Sequence, residues 1–428
     1  MLSTLRNAWR VPELRKKMLF TLMIVIIFRM GIFIPVPGVD ASKIQTLVGG
    51  GSGSLLSFYD MIAGGAFSKF SIFALGVTPY INASIIIQLL TIAIPYLEQL
   101  SKEGQEGRKK IQDYTKYSAL VFAVIQGYAM YAMIKGTGAI LLDGVPGLLL
   151  ILLTMTTGTA LLVWLGEQIS VYGIGSGVSV IIFVNIVSSL PTTAVQIAQL
   201  TKTGSVSIVE VIIFVAVALA LLVGVVVINI AERRIPVQYA GKAVGRKVMR
   251  NQSSHIPIGL NSSGVMAIIF GMSVMQFPIV ISQIWPNSWF ANFVNGSSWS
   301  IFQPNTVKYV IAYFALILFF AWFYTIITFK PDEMAENMNK SSGFIPGIRP
   351  GEKTAVYLEK VLTRVSILGG LFAAIVAIVP IVGSMASGLQ GVISFGGTSL
   401  LILVGVSMDT MKQLESQLVM RHYEGFLK

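Results

Sequence analysis

Long runs without a charged residue divide this chain, and they constrain its fold more than any other feature. A helix needs about 20 mostly apolar residues to cross a bilayer, and ten segments without Asp, Glu, Lys or Arg approach or exceed that length. The first begins at Met18 and is interrupted by Arg29, and the others begin near Ile72, Tyr117, Leu148, Val178, Val211, Val265, Val310, Val365 and Gly391. Because the runs are continuous and do not alternate, a β-barrel is disfavoured. The sequence predicts an all-α integral membrane protein with ten transmembrane helices.

The basic residues predict how these helices are oriented. Of the 31 Lys and Arg residues, 25 fall in segments that would share one side with the N-terminus. Under the positive-inside rule, that side is the cytoplasm, so both termini are expected there and the net charge of +12 is a cytoplasmic feature. No small-x-small cleavage site follows the first apolar run, which is therefore expected to remain as a span. The chain has no cysteine, which excludes disulfides and thiolate metal sites.

The ten predicted spans divide into five and five at the segment "TKTGSVS". Since five is odd, the second half would enter the membrane from the opposite side, and the halves are expected to form an inverted repeat. The predicted units are a cytoplasmic segment 1–17, a first half 18–200, a second half 201–408 and a cytoplasmic tail 409–428. Inverted repeats are also typical of ion-coupled secondary transporters, which are the main alternative.

The stretch "SFYDMIAGGAFSKF", residues 57–70, is too short to span. It is apolar enough to leave water, yet it carries Asp60 and Lys69 and a break at Gly64 and Gly65. Its composition fits a re-entrant segment in a wet cavity and an interfacial helix equally well.

Two long segments on the predicted cytoplasmic side, 231–264 and 330–364, have unusual chemistry. The first segment has one acidic and six basic residues, a composition that favours binding to phosphate groups, although an ordinary positive-inside loop has the same charge. The second is broken by Pro346, Gly347, Pro350 and Gly351, a pattern that favours a stiff turn projecting Arg349. Together they indicate a docking platform for a large acidic partner, the alternative being a solvated turn beside a topogenic loop.

Motifs along the whole chain resemble one known family. The sequences "GIFIPVPG", "FSIFALGVTPYINASIIIQLL", "EGQEGRKKIQDYTKY", "ERRIPVQYAGK", "QSSHIPI", "GFIPGIRPGEKTA" and "SFGGTSLLILVGVSMD" are similar to those of the SecY family. The resemblance implies a channel in the bacterial plasma membrane that passes unfolded secretory polypeptides outward and releases transmembrane segments sideways into lipid. It implies two five-span halves around an hourglass pore. The implied lateral gate lies between spans two and three on one side and spans seven and eight on the other.

The same resemblance implies partners but no cofactor. These partners are the SecE and SecG subunits, the SecA motor ATPase, the ribosome, signal sequences, unfolded polypeptides and membrane lipids. No phosphate-binding loop is present, so the chain is not expected to be an enzyme, and energy would come from the motor or the ribosome.

The resemblance also assigns residues to the parts of such a channel. Residues 57–70 match the position of a plug helix that closes the external funnel; its assigned residues are Ser57, Phe58, Tyr59, Asp60, Met61, Ile62, Ala63, Gly64, Gly65, Ala66, Phe67 and Ser68. An aliphatic ring that excludes ions by dewetting is assigned to Ile81, Ile85, Val178, Ile182, Ile269 and Ile402. Docking is assigned to Arg246, Lys247, Arg250, Arg349 and Lys353. The candidate gate residues are Asn82, Gln88, Gln126 and Gln276, for which ordinary interhelical hydrogen bonding is the simpler interpretation.

Buried ionisable residues are scarce, which disfavours the transporter alternative. Glu167, Glu210 and Glu232 fall at span ends, and the two histidines fall in predicted cytoplasmic segments, so a proton relay has few groups to use. Arg29 is the one base inside a predicted span. It is expected to face the bundle and bond backbone carbonyls or Asp60.

Overall fold

The structure is a computed structural model. It describes residues 2–44, 60, 63–135, 138–142, 144–202, 207–239, 243–244, 247–248, 253–261, 264–285, 288–296, 300–303, 306–386 and 397–426. The helices are α1 Leu2–Arg10, α2 Pro12–Gly31, α3 Thr78–Ala93, α4 Pro95–Lys102, α5 Gln105–Lys135, α6 Val145–Tyr172, α7 Gly177–Lys202, α8 Ile208–Ile230, α9 Gly264–Ile284, α10 Trp289–Gly296, α11 Val307–Phe329, α12 Pro331–Lys340, α13 Glu352–Ala386 and α14 Gly397–Phe426. The strands are β1 Glu232–Tyr239, β2 Ala243–Val244, β3 Lys247–Val248, β4 Ser253–Gly259 and β5 Gly343–Phe344.

Ten of the described helices match the ten predicted spans in position. Seven of them, α5, α6, α7, α8, α9, α11 and α13, are long and apolar enough to cross a membrane. An eighth candidate is the pair α3 and α4, which is bent by 99° at its break. For α2 and α14, whose ends carry charged residues, membrane crossing stays a prediction. The predicted all-α membrane class is confirmed, with seven to eight spans supported by length and composition.

Local sequence signals explain where many of these helices begin. A proline stands in the first turn of α2, α3, α4, α6 and α12, where its missing N–H removes no helical hydrogen bond. Helix α8 begins with a capping box between Ser207 and Glu210. These signals place the helix starts close to the ends of the apolar runs.

Two apolar clusters form the core of the helical bundle. The first joins α2, α3, α5, α6 and α7 and includes Ile402 of α14. The second joins α8, α9, α11, α13 and α14. Each cluster is therefore built almost wholly from one half of the chain, with α14 touching both.

A small sheet covers one end of the bundle, which we call the sheet end. Strand β1 pairs antiparallel with β4 over its length, and Gln238 and Tyr239 of β1 also pair with β5. The sheet packs on α12 and α13 through a cluster that includes Ile235, Val237 and Leu358. The two segments predicted as separate loops are therefore one folded unit.

This strand structure was not predicted, and two prolines explain why. Pro236 and Pro257 interrupt the strands, and proline normally argues against a central strand because it donates no ladder hydrogen bond. Among the described residues, β5 pairs with β1 only at Gln238 and Tyr239, so no described strand pairs with that edge of β1 at Pro236. The N–H that proline lacks therefore removes no hydrogen bond to a described strand on that edge.

The unit at the sheet end lies tightly against the bundle at Gly369 of α13. A Cβ atom there would overlap the backbone carbonyl of Leu260, just after β4. Leu260 N–H in turn donates to the Ala231 carbonyl at 2.9 Å, which closes the base of the β1–β4 hairpin. Backbone atoms cannot move aside as a side chain could, so this contact requires glycine.

We expect Gly369→Ala to lower stability by about 1–3 kcal/mol, the usual cost of overpacking a close contact. The measurement is the midpoint of thermal unfolding in detergent, followed by circular dichroism. Gly383→Ala, in the same helix, is the control, because a Cβ built there meets no atom of the described residues within 4 Å outside its own helix backbone. It should be neutral or stabilising by about 0.5–1 kcal/mol. Equal midpoints for the two variants would contradict the close contact.

Candidate functional site: a cavity between the helices

A cavity of about 340 Å³ lies at the centre of the bundle. Helices α3, α5, α6, α7, α9 and α14 contribute its walls. All six residues assigned from the sequence to the aliphatic ring line it: Ile81, Ile85, Val178, Ile182, Ile269 and Ile402. Residues from distant parts of the sequence therefore meet at one space, as a ring requires.

The ring residues are tightly packed. Ile85 and Ile182 are each 5% exposed and Ile402 is 7% exposed, while Ile81, Val178 and Ile269 are half-buried. Ile81 and Ile85 are one helical turn apart on α3, as are Val178 and Ile182 on α7, so each pair stacks along one helix face. The ring thus presents branched aliphatic groups and no hydrogen-bonding group to the cavity.

The sheet end of the cavity is polar. Lys116 of α5 forms an ion pair with Glu167 of α6 at 2.6 Å and with Asp113 at 3.3 Å. Gln88 and Asp409 also line the cavity. Gln88 lies about one helical turn beyond Ile85 on α3, and Asp409 lies about two turns beyond Ile402 on α14. The cavity therefore has an apolar constriction and a charged mouth.

Sequence reasoning missed most of this polar mouth. Glu167 was recognised only as a residue at a span end, and Lys116 only as one of the basic residues of a loop. Their pairing joins positions 51 residues apart, which no local pattern indicates. Asp409 could have been found from its position two turns beyond Ile402.

The segment assigned to the plug lies against the first core cluster. Ala63, Ala66, Phe67 and Phe70 are each at most 3% exposed and belong to that cluster. Asp60 is described as well, whereas residues 57–59 and 61–62 lie outside the described residues. The described part of the segment is thus packed inside the protein.

The predicted plug helix is wrong for the described residues 63–70, which form a series of turns. Gly64 and Gly65 have φ values of +66° and +83°, and an α-helix needs φ near −63°. The Asp60 carboxylate accepts the Ser68 N–H at 2.7 Å, so a side chain replaces a helical backbone acceptor. Burial raises the pKa of Asp60 above its ordinary value, although the hydrogen bonds from Ser68 act in the opposite direction.

Arg29 holds this segment from α2. Its Nη1 donates to the Gly64 carbonyl at 3.1 Å, which confirms the prediction that Arg29 bonds a backbone carbonyl. A Cβ at Gly64 would also overlap the Asn185 side chain on α7. The turn at Gly64 is thus fixed between α2 and α7.

Apolar contacts close the seam between the helices that were assigned to the lateral gate. Ile85 of α3, Ala267 and Phe270 of α9, and Phe320 and Ala321 of α11 form one buried cluster. Helices α5 and α9 are in contact as well. The two sides of the predicted gate therefore touch along this seam.

The four polar gate candidates are not gathered in one place. Gln88 lines the cavity and its Nε2 donates to Ser84 Oγ of the same helix at 3.1 Å. The Asn82 Oδ1 atom is buried without a hydrogen-bond partner. Gln126 is buried on α5, and Gln276 is half-buried on α9. The structure places Gln88 alone of the four on the cavity wall.

The turn that carries Arg349 belongs to the unit at the sheet end. Ile348 N–H donates to the Ile345 carbonyl, and Thr354 Oγ1 donates to the Arg349 carbonyl at 2.9 Å. Gly347 has a φ of +82°. Arg349 and Lys353 are exposed. The backbone of the turn is thus fixed while its arginine faces outward.

The other assigned docking residues are less fully described. Lys247 lies in β3, which pairs with β2, but its side chain is outside the described part. Arg246 and Arg250 lie outside the described residues. No group of three or more His, Cys, Asp or Glu residues that could hold a metal occurs in the described ranges.

Comparisons with known proteins agree on one family. The family model for SecY matches residues 71–411. A protein translocase subunit SecY from Mycobacterium tuberculosis is 42% identical, with 100% of each chain covered. The subunit of the same name from Thermus thermophilus is 40% identical over 100% of this chain and 98% of its own.

Solved structures show the same fold at low identity. A structure described as a protein-conducting channel matches with a TM-score of 0.63 and 17% identity, covering 95% of this chain and 93% of its own. The Sec61 chain of the canine ribosome–channel complex matches with a TM-score of 0.61 and 16% identity, covering 95% and 93%.

We expect loss of the Arg29 hydrogen bond to free the segment around Gly64. A hydrogen bond to a charged group contributes about 1.5–3 kcal/mol, so Arg29→Met should raise the population of the displaced segment about tenfold or more. The measurement is the rate of maleimide labelling of Ala66→Cys, a buried position in a chain without other cysteines. Lys135→Met, which removes an exposed base at the end of α5, is the control. An unchanged rate in Arg29→Met would contradict a restraining role.

Proposed function

Because this chain belongs to the SecY family, we propose that its cavity is the closed pore of a protein-conducting channel. It is a multi-pass membrane protein and a translocase channel subunit, and the alternative of an ion-coupled transporter finds no support in the comparisons. The observation that carries the proposal is that all six ring residues line one cavity. Its substrates are unfolded secretory polypeptides, which pass through the ring.

The ring seals the closed channel by dewetting. Water in a narrow aliphatic constriction loses hydrogen bonds that the wall cannot replace, so ions that need a hydration shell are excluded. A polypeptide in transit can displace the side chains without finding a polar group to hold it. Sealing and passage are thus both served by the absence of polar atoms at the ring.

The segment around Gly64 provides a second closure on the side of the ring away from the sheet. It acts as the plug although its described residues form turns. Turns held by side-chain contacts can be released one bond at a time, which suits a seal that must open. Arg29 is the hydrogen-bonding restraint that ties the segment to α2, while the Asp60–Ser68 hydrogen bond fixes the turns within the segment.

The seam between α3 and α5 on one side and α9 and α11 on the other serves as the lateral gate. Its contacts are apolar, and lipid tails or the apolar helix of a substrate can replace such contacts at little cost. Transmembrane segments therefore leave sideways into lipid. The 18–200 and 201–408 halves, each with its own core cluster, move apart as inverted units.

The sheet end faces the cytoplasm, together with both chain termini, in the plasma membrane of a bacterium. The excess of Lys and Arg on that side supports this orientation. The SecE and SecG subunits would complete the channel. Because the sequence has no nucleotide-binding loop, a docked ribosome or the SecA motor supplies the energy.

Two sets of basic residues at the sheet end bind different partners. Arg246, Lys247 and Arg250 suit ribosomal RNA phosphates, where charge matters more than geometry. Arg349 stands on a fixed turn, and its planar guanidinium can make paired hydrogen bonds that lysine cannot. Arg349, with Lys353 beside it, is therefore the contact for the motor.

We expect Ile402→Asn to make the closed channel leak, because an amide allows water to persist in the ring. Ile402→Val is the matched control, since it removes one methylene and keeps the ring aliphatic. It should cost about 0.5–1.5 kcal/mol of stability and leave the leak unchanged. Conductance across a planar bilayer distinguishes the two variants. Equal conductance would remove the basis for a dewetted ring.

We expect Arg349→Lys to impair ATP-dependent import of a precursor into vesicles, although the charge is kept. Insertion and thermal stability should stay normal, because the Arg349 side chain is exposed. The control is Lys340→Gln on α12, which removes a charge from the same unit without touching the turn. Full import by both Arg349→Lys and Arg349→Glu would leave the motor contact unassigned.

A further inference from the structure

The short helix α10 presents an aromatic face that the described part of the protein leaves uncovered. Ala291 and Val294 on its inner side are buried, and the helix packs on the end of α9. On the outer side, Trp289 is 80% exposed and stacks on Phe293, with ring centroids 5.9 Å apart. Trp285, just before the helix, is 62% exposed. Large aromatic rings are thus directed away from the protein.

The helix itself is well fixed, so the exposed face is not a frayed end. Ala291 N–H donates to Ser288 Oγ at 3.1 Å, and Asn292 N–H donates to the Ser288 carbonyl. At the other end, Ser300 Oγ donates to the Val294 carbonyl at 2.6 Å. Both ends of α10 are held by the residues that flank it.

The depth of α10 follows from the length of α9. The apolar stretch Val265–Ile284 is 20 residues long, which at 1.5 Å per residue is about the thickness of the hydrocarbon layer. Since α9 begins at the sheet end, Trp285 and α10 lie at the membrane–water boundary on the opposite side. Indole rings favour that boundary, because one edge is apolar and the N–H can bond to headgroups.

The distribution of charged residues indicates that lipid covers the aromatic face of α10. The sequence has no Asp, Glu, Lys or Arg between Arg250 and Lys308, and three of its six tryptophans fall between positions 285 and 299. A connection that stood in water would expose an apolar patch without a charged rim. A lipid surface removes that exposure.

We propose that α10 is an interfacial anchor that rests its Trp289–Phe293 face on the leaflet opposite the sheet end. It thereby fixes the end of α9, the helix that lines both the cavity and the seam. Because the segment carries no cation, its attachment does not require anionic lipid and does not weaken in salt. The anchor therefore differs from the basic contacts at the sheet end in both position and chemistry.

The test uses the full chain, which has no native cysteine, in vesicles of phosphatidylcholine. A nitroxide on Asn292→Cys, an exposed position beside the aromatic face, reports depth through its accessibility to oxygen and to a water-soluble nickel complex. Lys43→Cys serves as the aqueous control at the same end, and Leu219→Cys, which is 59% exposed in α8, as the lipid-facing control. The label at 292 should favour oxygen over nickel more than the label at 43 does and less than the label at 219 does.

Two further measurements test whether the aromatic face binds uncharged lipid and whether Trp289 and Phe293 are the side chains that attach it. Vesicles with phosphatidylglycerol, or with high salt, should give the same depth, and a deeper position in anionic lipid would overturn the uncharged mode of attachment. Adding Trp289→Ser and Phe293→Ser should shift the label toward the value at 43, and an unchanged depth would overturn the role of these rings. The proposal would be overturned if the label at 292, in the chain with Trp289 and Phe293 intact, were as accessible to nickel as the label at 43. It would also be overturned if that label were shielded from both oxygen and nickel, as it would be by contact with protein. Neither result depends on whether the double variant folds.

Discussion

Backbone polar groups at membrane depth must find partners within the protein, because lipid offers none. Helices meet this requirement by themselves, which is why the uncharged runs fold as they do. The turns around Gly64 cannot meet it alone and depend on their surroundings. The Gly64 carbonyl accepts a hydrogen bond from Arg29, the Ser68 N–H donates to the Asp60 carboxylate, and the Phe70 carbonyl accepts from the Val36 N–H. Irregular backbone is thus possible here only because the bundle encloses it.

In the proposed channel, that dependence would make the closure reversible. A plug formed as a regular helix would keep its internal hydrogen bonds when displaced, and only its packing would resist opening. The turns would lose the Arg29 hydrogen bond on displacement, which would couple opening to α2. The apolar packing of Ala66 and Phe67 supplies the remaining restraint. Closure is therefore shared between one charged hydrogen bond and a buried apolar surface.

The extent to which the sequence predicted this structure depends on the range of each interaction. Spans follow from composition over about 20 neighbouring residues, and the backbone bond of Arg29 follows from the cost of a buried charge. The pairing of β1 with β5 joins segments about 100 residues apart in the chain, and Pro236 and Pro257 conceal the nearer pairing of β1 with β4. The turns at Gly64 and Gly65 fall in a segment that the family resemblance assigns to a helix, whereas their positive φ values depend on how Asp60 and Asn185 surround them. The ring was placed through a family resemblance, since single isoleucines in a span are indistinguishable from lipid-facing ones.

Helix α9 is where the separate parts of the proposed mechanism meet. Ile269 lines the cavity and Phe270 belongs to the seam. Its first residue follows β4 after a short connection, and Leu260 in that connection is held against α13. A partner that displaces the β1–β4 hairpin therefore acts on α9 through the covalent connection, and on α13 through the close contact between Leu260 and Gly369. Because the far end of α9 continues into α10, a helix fixed at the lipid boundary would turn such a displacement into a tilt rather than a sliding motion. In the proposed channel, such a tilt would open the seam at the sheet end first, where the charged mouth of the cavity would receive the polypeptide.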